Sequence, residues 1–153
     1  MSMDAPPVVA PSRPFRGLRG QDAWGDGSFG ASRDGGKRHH IGQDFVALPG
    51  DEAVWPISGK LIHVSAAYPD SDLRSIIIVG AAEFEGWMAR LDYVLPSREA
   101  SRGIVGARLG SAQDVAAYWA RQQPGRPPMT GHVHFELWRA LDPRAYVAMT
   151  ETV

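Results

Sequence analysis

The tightest constraint on this chain is a seven-residue stretch near its C-terminal end, His132-Val133-His134-Phe135-Glu136-Leu137-Trp138. Extended backbone turns successive side chains to opposite faces, so His132, His134 and Glu136 share one face while Val133, Phe135 and Leu137 share the other. A strand with one apolar face must pack that face against a core, which leaves the opposite face free for chemistry. Two imidazoles side by side suit a metal ion, because neutral imidazole is a common zinc ligand. The plainer alternative is a half-buried strand whose histidines face water.

A second stretch lies far upstream, His39-His40-Ile41-Gly42-Gln43-Asp44-Phe45. A carboxylate four residues after a histidine closes on the same ion if the chain turns between them, and Gly42 tolerates such a turn. His40, Asp44 and one histidine of the later pair would supply two nitrogens and one oxygen. Three protein ligands leave a fourth position open, which is the pattern of a catalytic rather than a structural zinc.

The sequence His40-Ile41-Gly42-Gln43-Asp44 resembles the H-x-G-x-D motif of the lysostaphin/LytM-type zinc metallopeptidases, peptidase family M23, and His132-Val133-His134-Phe135-Glu136 resembles their H-x-H-F-E motif. The likeness runs from about Gly25 onward, with Phe29-Gly30-Ala31-Ser32-Arg33 similar to the entry segment before the first motif. It extends to Asp142-Pro143-Arg144-Ala145-Tyr146, a tail pattern shared with the chemotaxin-like branch of the same fold. The resemblance implies an all-β fold of antiparallel sheets around an open groove, with zinc held by His40, Asp44 and His134. It also implies that His132 is the general base; Glu136 is expected to orient a ligand histidine or to form a surface contact rather than to take part directly. One departure stands out: active members carry Tyr-x-His in the strand before the second motif, and this chain reads Tyr93-Val94-Leu95. Simple alternation places Leu95 on the face of Tyr93, where the family has a proton-handling histidine. Tyr93 is then the remaining candidate donor to the oxyanion, an interaction worth roughly 3–4 kcal/mol.

At 153 residues with 44% hydrophobic content, the chain predicts one domain with one core. Residues 1–16, with Pro6, Pro7, Pro11 and Pro14, predict an extended proline-rich arm without a hydrogen-bonded core, and residues 17–153 the β domain. Sixteen basic and seventeen acidic residues nearly cancel, so neither nucleic acid nor an anionic membrane is expected as a partner. The absence of cysteine excludes disulfides, thiolate metal sites and a cysteine nucleophile. No secretory signal is visible after Met1, and the longest apolar run, Ile76 to Ala82, is too short to span a bilayer. A wall-directed protein of this kind is expected to arrive as a processed precursor, by cell lysis, or as a virion component.

Glycines recur between Arg16 and Lys37 as turns. Gly35-Gly36-Lys37 is not a phosphate loop, because Ala31 and Arg38 occupy positions that need glycine and Ser or Thr. Strands are expected at Phe45–Leu48, Lys60–Ser65 and Ser75–Gly80, with a turn at Pro49-Gly50-Asp51. A single long strand is expected over Glu85–Leu95, and a helix near residues 111–122 capped by Ser111. Its insertion, just before the His132 strand, is expected to wall the groove, with Tyr118 and Trp119 as core or as a stacking platform. His63 is assigned a surface role rather than a place in the site.

Two functions follow. The first is a zinc metalloendopeptidase hydrolysing peptide cross-links of bacterial peptidoglycan, a substrate class implied by the resemblance. The second, supported by Leu95, is a catalytically impaired zinc-binding module of the same fold, built into a multi-subunit particle such as a phage tail through the N-terminal arm. A β domain without metal would make both motifs coincidence.

Overall fold

The computed structural model describes residues 5–139 and is an antiparallel β fold with one short helix. In chain order the elements are β1 (Ser12–Arg13), β2 (Gln21–Asp22), β3 (Gly25–Asp26), β4 (Ser32–Arg33), β5 (Arg38–His39), β6 (Gln43–Val46) and β7 (Glu52–Val54). They continue as β8 (Gly59–Ala66), β9 (Arg74–Gly80), β10 (Trp87–Asp92), β11 (Val94–Pro96), β12 (Arg102–Gly103), β13 (Arg108–Ala112), α1 (Val115–Gln122) and β14 (His132–Arg139). A six-stranded sheet runs β12-β8-β9-β10-β14-β6, and a four-stranded sheet runs β1-β7-β13-β11. The segment 142–146 lies outside the described residues.

The core lies between these sheets and is filled by Trp55, Ile57, Ile76, Ile78, Leu91, Val94, Leu109 and Val133, each at most 2% exposed. Ile76 and Ile78 point inward from β9 while Ile77 and Val79 are only partly covered, so this central strand buries one face fully rather than two. Burying each such side chain contributes about 1.5–3 kcal/mol, which is what fixes the register of the strands that carry the polar face.

Three expectations change. The proline-rich segment is not free of hydrogen bonds: Val9 N–H donates to Pro56 O, Val54 N–H to Pro11 O, and β1 pairs with β7. Pro11 and Ser12 are buried there, so this part of the arm is an edge of the four-stranded sheet. The helix begins later than expected, because Ser111 is engaged in β13 opposite Glu52 and Leu95. Asp114 is the cap instead, its Oδ1 accepting from Ala117 N–H at 2.8 Å.

The long strand over Glu85–Leu95 is also divided. Its first part is β10; Tyr93 then adopts a left-handed backbone with φ 69°, and the chain continues as β11 in the other sheet. Tyr93 N–H still bonds Arg74 O in the first sheet while its carbonyl accepts from Gln113 N–H beside the second. A left-handed residue resets the alternation of side chains. Val94 is therefore fully buried and Leu95 is 50% exposed, the reverse of what unbroken alternation from Tyr93 requires.

Candidate metal centre

Strand register brings the two motifs together. On β14, His134 lies directly opposite Asp44 of β6 on one side and opposite Asp92 of β10 on the other. His40 follows β5 and is held in place by paired backbone bonds, Gly30 N–H to His40 O and His40 N–H to Ala31 O, both 2.8 Å. Val133 and Phe135 point from β14 into the apolar core as expected, while His132, His134 and Glu136 point the other way. That polar face is not open to water: His132 is 4%, His134 9% and Glu136 4% exposed.

Three atoms converge. His134 Nδ1 lies 2.9 Å from Asp44 Oδ1 and 3.0 Å from His40 Nε2, and His40 Nε2 lies 3.4 Å from Asp44 Oδ1. Ligands about 2.0–2.2 Å from a tetrahedral zinc sit roughly 3.3–3.6 Å apart, so these separations match a shared ion to within a few tenths of an ångström. Among the described residues, His40, Asp44 and His134 form the group of side chains placed so that they could hold a metal ion.

The atoms behind this trio fit the same purpose. His40 Nδ1 donates to Ser28 O at 3.0 Å and His134 Nε2 donates to Glu136 Oε1 at 2.8 Å. Each bond fixes the ring and leaves the opposite nitrogen directed at the convergence point, an arrangement typical of histidines that hold metals. On Asp44, Oδ2 accepts from Arg19 Nη1 at 2.9 Å, which leaves Oδ1 for the site. Arg19 is 4% exposed and its other nitrogens engage Asp22, giving an unbroken row of alternating charge, Asp22–Arg19–Asp44–His134–Glu136.

Burial opposes ionisation at Asp22, Arg19, Asp44 and His134, and pairing overrides it. Desolvation would raise the Asp44 carboxyl, but hydrogen bonds from His134 and His40 hold it far below the usual carboxylate range. Burial would lower His134, yet its bonds to Asp44 and Glu136 raise it to about 9. Burial dominates at His132 and pushes its imidazole down, partly offset by Asp44 and Thr130.

His132 stands beside the trio without joining it. Its Nδ1 donates to Thr130 O at 2.8 Å, and its Nε2 lies 3.5 Å from Asp44 Oδ2. A neutral ring with its proton on Nδ1 keeps a lone pair on Nε2, the state a general base requires. The Tyr93 ring meets it edge-on, with centroids 5.3 Å apart, and the Tyr93 hydroxyl is hydrogen-bonded to that of Tyr68. Burial raises both phenols, so both remain protonated donors at neutral pH.

Leu95 is not in the groove. Its exposure on β11 removes it from the place that sequence alternation assigned to it, and Tyr93 is the side chain that faces His132. Gly42 is needed for a reason other than a left-handed turn. A Cβ there would sit 2.5 Å from His134 Cε1 and 2.6 Å from Phe135 O, so the missing side chain is what lets the His134 ring fit. His63 sits on β8 away from the site, and His39 is exposed with Nδ1 on Gly30 O.

Sequence reasoning missed Arg19, Asp22, Asp92 and Tyr68. Their identity carries no periodic signal, and only the register of β6, β10 and β14 and the fold of the glycine-rich segment bring them to the site. The groove around the site encloses about 440 Å³. One wall is the β2–β3 hairpin with Trp24 at its turn, and the other is α1 and the loop after it. Tyr118 stacks on Tyr68 with centroids 5.3 Å apart and Trp119 meets both edge-on; Tyr118 and Trp119 are half-buried against the Leu73–Tyr93–Val115 cluster, and Trp119 lines the groove.

No protein-family pattern matches the chain, and no curated protein matches it in sequence. Solved structures do match in shape. A protein from Pseudomonas aeruginosa assigned to peptidase M23 superposes with a TM-score of 0.50 at 13% identity, covering 84% of this chain and 43% of that one. A zinc-containing peptidase from Vibrio cholerae gives 0.50 at 15% identity, covering 87% and 35%. Lysostaphin gives 0.53 at 14% identity, covering 89% and 56%. This chain thus has the M23/lysostaphin-type fold and spans between about a third and just over half the length of these proteins.

Proposed function

We propose that this chain is a zinc metallopeptidase acting on the peptides of bacterial peptidoglycan, with His40 Nε2, Asp44 Oδ1 and His134 Nδ1 as the metal ligands. The observation that carries the reading is the convergence of those three atoms from two sequence motifs, each atom backed by its own hydrogen bond. The substrate class comes from the likeness to lysostaphin and the sequence motifs. Zinc held there supplies Lewis acidity to a scissile carbonyl and acidifies a water molecule.

The chain's own residues supply the rest. His132 accepts the proton of the attacking water at Nε2, because Thr130 O holds its proton on Nδ1 and burial keeps the ring neutral. Tyr93 donates its hydroxyl toward the oxygen on which charge develops, with Tyr68 orienting that hydroxyl. Arg19 holds Asp44 Oδ2 so that Oδ1 stays turned to the site, and Glu136 holds the His134 ring.

The exposed Leu95 leaves the groove free of an apolar plug, while His40, His132 and His134 are the only histidines lining it among the described residues, so the catalytically impaired reading keeps the missing histidine as its support. With leucine at the position where the resemblance implies a histidine and Tyr93 as the remaining donor, slow rather than absent turnover is expected. The test is zinc content and release of new amino termini from purified peptidoglycan for the wild type, His40→Ala, His134→Ala and His132→Ala. The expected outcome is one zinc per chain, lost in the first two variants and retained in the third. His132→Ala should lower turnover at least a hundredfold. Full zinc content in His40→Ala and His134→Ala would overturn the ligand assignment, and unchanged turnover in His132→Ala would overturn the base.

A further inference from the structure

The two walls of the groove touch. Trp24, at the turn of the β2–β3 hairpin, donates from Nε1 to Pro127 O at 2.8 Å, beyond the C-terminal end of α1. Arg126 answers from the other side: its guanidinium carbon lies 3.7 Å above the Trp24 ring and its Nη2 donates to Ala23 O at 2.9 Å. The Trp24 and Trp119 rings are 5.6 Å apart at their centroids. All three of these side chains line the same cavity as His40, Asp44, His132 and His134. A groove bridged in this way is closed where the walls meet, and its 440 Å³ falls within the range of small-ligand sites, about 300–1,000 Å³.

Charge at the closed end is unbalanced. Buried Arg19 is spent on Asp22 and Asp44, and of the cavity's two carboxylates Asp44 is held by Arg19 while Asp92 accepts from Arg90 at 3.0 Å. Arg33 and Arg126 differ. Arg33 donates to Asp26 O at 2.6 Å and Ser32 O at 3.2 Å, and Arg126 to Ala23 O and to Gln123 Oε1 at 3.0 Å. Neither reaches a carboxylate within salt-bridge distance among the described residues. Neutral oxygens orient Arg126 without cancelling its charge, whereas Arg33 is partly met by the Asp26 carboxyl, which the Ser28 bonds and then the Arg33 charge hold down; each guanidinium keeps N–H donors in a planar fork that matches a carboxylate.

We infer that the closed end of the groove is a subsite for the free C-terminal carboxylate of a peptide, so that the centre acts on chain ends rather than on internal bonds. The inference rests on the peptidase reading and narrows it. An acidic side chain inside a longer peptide is a poorer occupant, because its chain must continue past the bridge. A free amino terminus is repelled by both arginines. Hydrolysis adds one water across a peptide bond near the end: the hydroxyl goes to the acyl carbon, and the proton goes to the leaving amine, which departs with the arginine-bound carboxylate.

The test is a titration of metal-free protein, followed by tryptophan fluorescence, with acetyl-tetra-alanine as the free acid, as its amide, and as an amide carrying one internal glutamate. The free acid should bind at least tenfold more tightly than either amide. Arg126→Gln and Arg33→Gln should each remove most of that preference while retaining one zinc per chain when loaded, which shows that they fold. Equal binding of acid and amide, an equally tight glutamate-bearing amide, or an unchanged preference in both variants would overturn the subsite. With zinc-loaded protein and purified muropeptides, release of C-terminal residues supports the inference. Solubilisation of intact sacculi through internal cross-links without end trimming overturns it while leaving the peptidase reading in place. Acid-selective, arginine-dependent binding with no hydrolysis of any substrate supports the subsite and sinks the peptidase reading instead.

Discussion

Along β14, Val133 and Phe135 on one face and His132, His134 and Glu136 on the other are all 9% exposed or less, yet opposite forces hold the two faces. The first pair lies against Ile76, Leu91 and Phe45 and is held by loss of apolar surface from water. The second set is desolvated at a cost and is held because each imidazole and Asp44 meets a hydrogen-bond partner of the right kind. Depth of burial alone does not distinguish core from site on this strand; accounting for every polar atom does. Glu136 Oε2 is the site's one buried side-chain oxygen without a partner among the described residues.

The comparison breaks most visibly with paired truncations. His134→Ala should abolish zinc uptake and take the imidazole from between Asp44 Oδ1 and Glu136, with Arg19 still holding Asp44 Oδ2, destabilising the metal-free protein by about 3–5 kcal/mol. Phe135→Ala, one residue away, should cost a similar 3–5 kcal/mol in urea unfolding while the folded fraction still binds one zinc. Loss of zinc from folded Phe135→Ala would show that the two faces are not separable.

Gly42→Ala tests the seam between the faces. The added methyl meets both the His134 ring and the Phe135 carbonyl, so zinc affinity should fall roughly 10–100-fold, as for lost supporting contacts around a metal. Stability should fall by about 1–3 kcal/mol from overpacking. Unaltered zinc affinity by competition with a chelating dye would refute the close approach.

A pH series separates the forces without mutation. The folded pKa of His134, about 9, lies above its unfolded value near 6.5. Its contribution to metal-free stability is therefore fully present below about pH 6.5 and is lost as pH rises through 9. Zinc must displace that same proton, so zinc affinity should climb over the same window. Thermal unfolding in chelator should show Tm falling from pH 6.5 to 9, while the gain in Tm from added zinc grows. Parallel slopes would mean that His134 is not the group titrating. The smallest effect is expected for Glu136→Gln, which keeps the shape and removes the charge behind His134. Zinc affinity should drop about tenfold with the fold intact.

Much of this site was legible in the chain. The alternation from His132 to Leu137 gave the strand and its two faces, and the spacing His40 to Asp44 gave the partner segment, because both depend on local geometry. The fold class and the short helix were legible for the same reason. Leu95 was misplaced because a single left-handed residue is invisible to a period-two pattern. Ser111 lost the cap because sheet pairing claimed it first. Arg19, Asp22 and Tyr68 were out of reach, since nothing local in a glycine-rich segment or an isolated loop says which distant carboxylate or hydroxyl it will meet.

The left-handed turn of the backbone at Tyr93 carries one more consequence. Because it restarts the count of inward and outward positions where the chain changes sheets, the alternation of β11 is set independently of that of β10. β10, which pairs with β14 and carries Asp92 opposite His134, thus keeps its polar face toward the candidate site whichever face β11 turns to the core. Tyr93 thereby uncouples the sheet that carries the candidate ligands from the sheet that leads into α1.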